Sequence, residues 1–147
     1  MDVSLGGVGS TDVLLSIRPR YVESIMKKEK SYEFRKTIFR NGDVARVFIY
    51  STSPVKRILG SFAVGSITED SPENLWSRFG DCSGLTDLEF FDYFRGRSKG
   101  YAIKIEHLVR FDTPIDPAET IPGFIPPQSF QYLDYDIEGQ TSSQLVS

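Results

Sequence analysis

Lys30, Glu33 and Arg35 are the residues of this 147-residue chain whose types and spacing offer the most chemistry. The segment Ser31-Tyr32-Glu33-Phe34-Arg35-Lys36-Thr37 has period two, which predicts a strand. Tyr32 and Phe34 then face one way, with Glu33 and Arg35 on the other. Lys30 can reach that second side from the preceding turn. A guanidinium offers a planar fork and an ammonium a point charge, so the trio suits a phosphate and a base edge. The carboxylate would hold both cations while no ligand is present. The competing reading is an exposed ion pair on an edge strand, worth under about 1 kcal/mol.

A second wall is offered by Ser51-Thr52-Ser53-Pro54, followed by Lys56 and Arg57. Its hydroxyls and backbone N–H groups suit phosphate, although an ordinary turn between strands explains it equally well. On this reading Arg18, Ser51, Ser53 and Lys56 line the rim around Lys30, Glu33 and Arg35. Tyr21 or Tyr50 could stack on a base, with core packing the rival role for Tyr50. His107 falls on the apolar side of its segment and is expected to be a buried core histidine. With one His and one Cys, the chain supports no Cys/His zinc site and no Cys–His dyad. Gly6-Gly7-Val8-Gly9 lacks a preceding strand, so it is not a phosphate-binding loop. No metal or other cofactor is called for.

The elements that must position these groups follow from the same pattern. Val13–Ile17 is a short apolar run, expected as a buried strand, and Pro19 opens a helix to Lys28 with Val22, Ile25 and Met26 inward. Strands are predicted at 31–37, 44–50 and 57–67. Gly60 and Gly65 mark bends or bulges in the third. Ser71-Pro72-Glu73 and Thr86-Asp87-Leu88-Glu89 read as two helix starts, the second with a capping-box pattern. Trp76, Phe79, Phe90, Phe91 and Phe94 are assigned to the core between those helices. Tyr101–Phe111 is the clearest strand, placing Ile103, Ile105, His107 and Val109 on one face. A proline-rich wrap over 114–127 leads to a short strand at 130–133. This order contains no βαβ alternation, so the expected fold is α+β: a mixed barrel of five to six strands, with one helix after the first strand and two before the long late one.

Residues 1–12 read as a loose arm, 13–133 as one domain, and 134–147 as a disordered acidic tail. The single Cys82 precludes an intrachain disulfide, which fits a reducing compartment. No basic-then-apolar leader opens the chain, and no run approaches the roughly 20 apolar residues of a membrane span. A cytoplasmic location is expected, with no membrane partner and the oligomeric state open. The net charge of −3 hides an asymmetry. Between Arg18 and Arg57 stand eleven basic and four acidic residues, whereas from Asp112 onward there are six acids and no Lys or Arg. Such a division suggests one face suited to anions.

Lys30-Ser31-Tyr32-Glu33-Phe34-Arg35 resembles the ASCH-family signature Gly-x-Lys-x-x-Glu-x-Arg, with Lys28 standing where that family has glycine. Leu15–Tyr21 is similar to its opening strand and helix, Ile49–Lys56 to its loop of small residues, proline and a base, and Ile58–Phe62 to the strand that follows. Pro126–Leu133 resembles the closing segment of a bacterial branch described as predicted transcriptional regulators. The resemblance implies a PUA-like barrel with a cleft beside the first helix, receiving RNA or a nucleotide. It also brings two enzymatic alternatives, since some relatives are ribonucleases and one group removes the acetyl group of N4-acetylcytidine. That group uses a Lys, a Thr three residues on and a distant Glu. Here Lys30 matches the Lys, and Glu33 replaces the Thr. A carboxylate there would keep Lys30 protonated, against the needs of a nucleophile or base.

The leading expectation is a binding module for single-stranded RNA or a nucleotide, in RNA metabolism or transcriptional regulation. An amidohydrolase or ribonuclease with Lys30 and Glu33 as catalytic groups is the first alternative. A protein-interaction domain is the second.

Overall fold

The structure is a computed structural model that describes residues 11–40, 42–133 and 137. Strand β1 (Thr11–Ile17) leads through helix α1 (Pro19–Met26) to β2 (Tyr32–Arg35), β3 (Val44–Ser51) and β4 (Arg57–Asp70). Helices α2 (Pro72–Phe79) and α3 (Asp87–Tyr93) flank a 3-10 turn at Gly80–Cys82. Then come β5 (Gly100–Ile115), the short α4 (Pro117–Thr120) and β6 (Phe130–Leu133). The six strands form one mixed sheet in the order β2-β5-β4-β3-β1-β6, with β1 and β3 parallel and the other pairs antiparallel. This is the α+β arrangement expected from the order of elements.

Apolar residues on both faces of β1 and β3 serve two cores. Val13, Leu15, Ile17, Val47 and Ile49 join Val22 and Ile25 of α1 in one cluster. Leu14, Phe48 and Tyr50 join Ile58, Ile115, Ile121 and Leu133 in another. A third, built on Phe34, Leu75, Phe90, Phe94 and Ala102, packs α2 and α3 against β2 and β5. Both helix starts hold: the Ser71 side chain accepts from Asn74 N, and Thr86 with Glu89 forms a complete capping box.

Four expectations need correction. The arm ends earlier than residue 12, because Thr11 and Asp12 already pair along β3, and Asp12 binds Arg46 at 3.0 Å. Within the tail expected to be disordered, Ile137 is fully buried in the second core; the other tail residues lie outside the described ones, as do residues 1–10. Phe91 is partly exposed rather than core. His107 is exposed, not buried. Between the pairs Ser61↔Val109 and Ala63↔Glu106, β5 carries one residue more than β4. That bulge sets His107 at φ +51 and exchanges the faces beyond it. Leu108 therefore packs on the core, and Val109 is 48% exposed. Gly60 and Gly65 do sit at register shifts, and a Cβ on Gly60 would clash with the Val109 carbonyl oxygen.

Lys28 explains the signature's missing glycine. Helix α1 closes with Lys28 N–H on the Ile25 carbonyl and Glu29 N–H on the Ser24 carbonyl, which requires a left-handed residue between them. Lys28 supplies it at φ +63, where a side chain is strained and glycine is not. Lys28→Gly is expected to raise stability by about 0.5–1 kcal/mol in urea unfolding; a loss of stability would show that the Lys28 side chain makes a compensating contact.

Candidate functional site

The curl of the sheet brings its two ends together, and Arg35 spans the seam between them. From the end of β2 its Nη1 donates to Glu33 Oε2 at 2.9 Å and to the Ser16 carbonyl of β1 at 3.3 Å. Its Nη2 donates to Ser129 Oγ at 2.9 Å and to the Ser129 carbonyl at 3.4 Å, just before β6. Ser16 continues the seam, donating from Oγ to the Pro127 carbonyl at 2.7 Å and from its N–H to the Ser129 carbonyl at 3.0 Å. All four terminal hydrogens of Arg35 thus have acceptors within the protein. The expectation that Arg35 reaches a ligand meets a guanidinium already committed to holding β2 against β1 and β6.

Beside the seam opens a cleft of about 1030 Å³. Arg18, Arg20 and Tyr21 of the α1 entry line it, with Glu33 and Arg35 of β2 and Lys30 and Lys36 flanking that strand. Glu89, Asp92 and Tyr93 of α3, Arg97, Thr52 and the Pro127–Ser129 segment complete the walls. Lys30, Glu33 and Arg35 are 3%, 5% and 9% exposed, so this is not a surface ion pair. The Lys30 ammonium donates to the Ser83 carbonyl at 3.1 Å and lies 3.7 Å from Glu33 Oε1. The rings of Phe34 and Tyr21 stand 5.2 and 5.8 Å from it. The turn after α2 creates this cradle: Ser31 N–H donates to the Cys82 carbonyl at 2.8 Å, which places Ser83 over the lysine.

Burial governs Lys30. Loss of hydration pushes its pKa below the ordinary value of 10.5, Glu33 opposes that shift and Arg35 adds to it. Spacing alone puts only Glu33 beside Lys30 and predicts a lysine held in its charged form. Geometry reverses the balance, because the packing of Tyr21, Phe34 and the Ser83 turn around Lys30 was not visible in the spacing.

Of the residues expected at the site, Arg18, Lys30, Glu33 and Arg35 line the cleft. Ser51, Ser53 and Lys56 are not among its lining residues; Thr52 represents their loop. Ser51 is fully buried with a hydroxyl that lacks a partner among the described residues, and Ser53, joined to Pro54 by a cis bond, and Lys56 are both exposed. Tyr21 is half-buried in the cleft, whereas Tyr50 is buried against Phe124. The α3 wall, with Tyr93 and Arg97, escaped the sequence reading. Glu89 reads as a cap and the phenylalanines beside it as core, Tyr93 and the following Arg97 carry no signal in the spacing, and only the fold turns them toward the cleft. Among the described residues no group of three or more His, Cys, Asp or Glu is placed to hold a metal ion.

Removing one partner of a buried pair leaves the other charge unpaired, which costs about 3–5 kcal/mol. Arg35→Met is expected to lower unfolding stability by an amount in that range, and adding Glu33→Gln is not expected to restore it, because buried Lys30 then loses its carboxylate partner and the Ser16 and Ser129 acceptors stay unfilled. A single variant as stable as the parent would show that the seam does not depend on Arg35.

The family model described as a domain of unknown function (DUF365) matches residues 10–124. An ASCH domain-containing ribonuclease of Zymomonas mobilis is 33% identical over 128 residues, covering 83% of this chain and 84% of that protein. The crystal structure of ASCH from Zymomonas mobilis superposes with a TM-score of 0.82 at 30% identity, over 90% of this chain and 94% of that one. A structure described as a mutant ZmASCH protein from the same organism gives 0.81 at 30% identity, over 91% of this chain and 97% of that one. The large ribosomal subunit protein uL22 of Ureaplasma parvum is 28% identical over 124 residues, spanning 82% of this chain but only 39% of that protein. The signature around Lys30, the curled sheet and the length of these matches agree, and the chain belongs to the ASCH-domain (DUF365) family.

Proposed function

We propose that this protein is a ribonuclease that draws single-stranded RNA into the cleft and moves a proton through Lys30. The observation that carries the reading is the buried Lys30 ammonium on the wall of a large cleft, its pKa lowered by burial and its position fixed by Glu33 and Ser83. The 33% identity to an ASCH-domain ribonuclease supports it. A neutral amine there can accept a proton from an attacking hydroxyl, and the ammonium can return one to a leaving oxygen. Glu33 orients the amine, while Arg35 fixes Glu33 and the Ser129 segment. Arg18 adds a cation on the same cleft that makes no ion pair among the described residues, suited to a phosphate.

Two other readings remain as outcomes of the same experiments. A binding module would retain RNA without cutting it. An amidohydrolase would release acetate from N4-acetylcytidine; the lowered pKa of Lys30 favours this, and the charged Glu33 in the place of a threonine weighs against it. The relatives lend no support to a role in transcriptional regulation.

The test is cleavage of labelled single-stranded RNA as a function of pH. Because the Lys30 pKa is lowered, its neutral fraction grows at pH values below those at which an exposed lysine deprotonates. If the neutral amine is the base, kcat rises with pH along a limb whose midpoint lies below 10.5. Lys30→Arg, which keeps the charge but cannot release the proton, is expected to lose about 100-fold in kcat and to lose that limb. Lys30→Met serves as a second variant, with thermal unfolding confirming that both fold. Cleavage unchanged in both would remove Lys30 from the reaction, and no cleavage of any RNA by the parent protein would overturn the ribonuclease reading.

A further inference from the structure

Lys36, Tyr93 and Arg97 all line the cleft, with Lys36 against Tyr93 and Arg97 near enough to act on the Tyr93 phenol. Strand β2 ends at Arg35, so the alternation that would turn Lys36 away from the cleft no longer applies. Instead its ammonium lies 4.7 Å from the centre of the Tyr93 ring. The Lys36 N–H donates to the Tyr93 hydroxyl at 3.2 Å. The phenol has thereby used an acceptor position, and its own proton has no acceptor among the described residues. Arg97 follows α3 in a turn closed by its N–H on the Phe94 carbonyl at 2.9 Å.

Charge separates this corner from the rest of the cleft. Glu33 is committed to Lys30 and Arg35, Glu89 to Arg20 and its own helix cap, and Asp92 to Arg95. Neither Lys36 nor Arg97 makes an ion pair among the described residues. Two uncompensated cations and an unspent O–H donor therefore converge on one space, with no carboxylate free to fill it. Phosphate oxygens are acceptors only, which is the complement such a set requires.

We propose that Lys36, Tyr93 and Arg97 form a second phosphate-binding subsite, which holds a backbone phosphate of RNA neighbouring the one beside Lys30. The inference rests on the reading of the cleft as an RNA site and adds the path of the strand: from α1 past Lys30, across the Arg35 seam, to the end of α3. Burial raises the Tyr93 pKa against the lowering effect of Arg35 and Arg97, so the phenol keeps its proton through the neutral range.

The test is fluorescence anisotropy of the full chain with a 2′-O-methylated single-stranded RNA of about ten nucleotides, which cannot be cut, between about 25 and 200 mM salt. Removing the neutralisation of one phosphate from single-stranded binding should make the slope of log affinity against log salt shallower by about 0.7. Lys36→Gln with Arg97→Gln is expected to show that change and roughly tenfold weaker binding at low salt. Tyr93→Phe keeps the ring and is expected to weaken binding by about three- to tenfold with the slope unchanged. Lys27→Gln with Lys104→Gln removes the same charge from exposed positions outside the cleft and should leave the slope alone. A parental slope in the Lys36/Arg97 variant, or an equal fall in the control pair, would overturn the subsite while leaving the RNA reading intact. Absence of salt-dependent binding by the parent protein would overturn both.

Discussion

The Glu33–Arg35 pair is the constraint on which the cleft depends. A sheet with the order β2-β5-β4-β3-β1-β6 leaves two edges, and no backbone pairing joins β2 to β6 among the described residues. The Arg35 side chain leads the joining, reaching from β2 to the β1 backbone and to Ser129 ahead of β6. Phe39 against Phe130 and Arg40 N–H on the Tyr132 hydroxyl extend the closure along the seam. Ion pairs this buried gain little net stability, because desolvation cancels much of the attraction. Their value here is geometric. The clamp fixes where the seam lies, and the cleft opens beside it.

That placement decides the behaviour of Lys30. The residue sits where α1, β2 and the turn after α2 converge, so its ammonium is enclosed on three sides and exposed only to the cleft. Hydration lost there outweighs the nearby carboxylate, while Glu33 keeps the group in position rather than setting its charge. A lysine in the same triad on an open strand would remain an ordinary cation. On the ribonuclease proposal the division of labour is that Arg35 builds, Glu33 aligns, Lys30 exchanges the proton, and the rim cations without an ion pair among the described residues meet the phosphates.

Much of the fold was legible because its local signals agree with one another. Apolar runs at 13–17 and 44–50, Pro19, the Thr86–Glu89 capping box and the alternation through 101–105 each specify an element without help from distant residues. Periodicity misleads at His107, where a single inserted residue exchanges the two faces of β5 and no glycine marks the bulge. Ile137 was hidden by acidic neighbours. At the site, Lys30, Glu33 and Arg35 were legible from spacing and signature, and so was their shared side. What the spacing omitted was the third dimension: the α3 wall with Tyr93, the acceptors that occupy Arg35, and the enclosure that governs Lys30. Lys28 shows the converse, a departure from the signature whose meaning is a backbone angle rather than chemistry.

Direct titration of Lys30 by NMR, with lysine labelled at the side-chain amine and adjacent carbon and the resonance assigned through Lys30→Arg, tests the central claim most closely. If burial dominates, the midpoint lies below 10.5 and falls further in Glu33→Gln, where the opposing carboxylate is gone. A midpoint at or above 10.5 in the parent protein would mean that Glu33 prevails over burial, and Lys30 would then be a fixed cation rather than a group that exchanges protons.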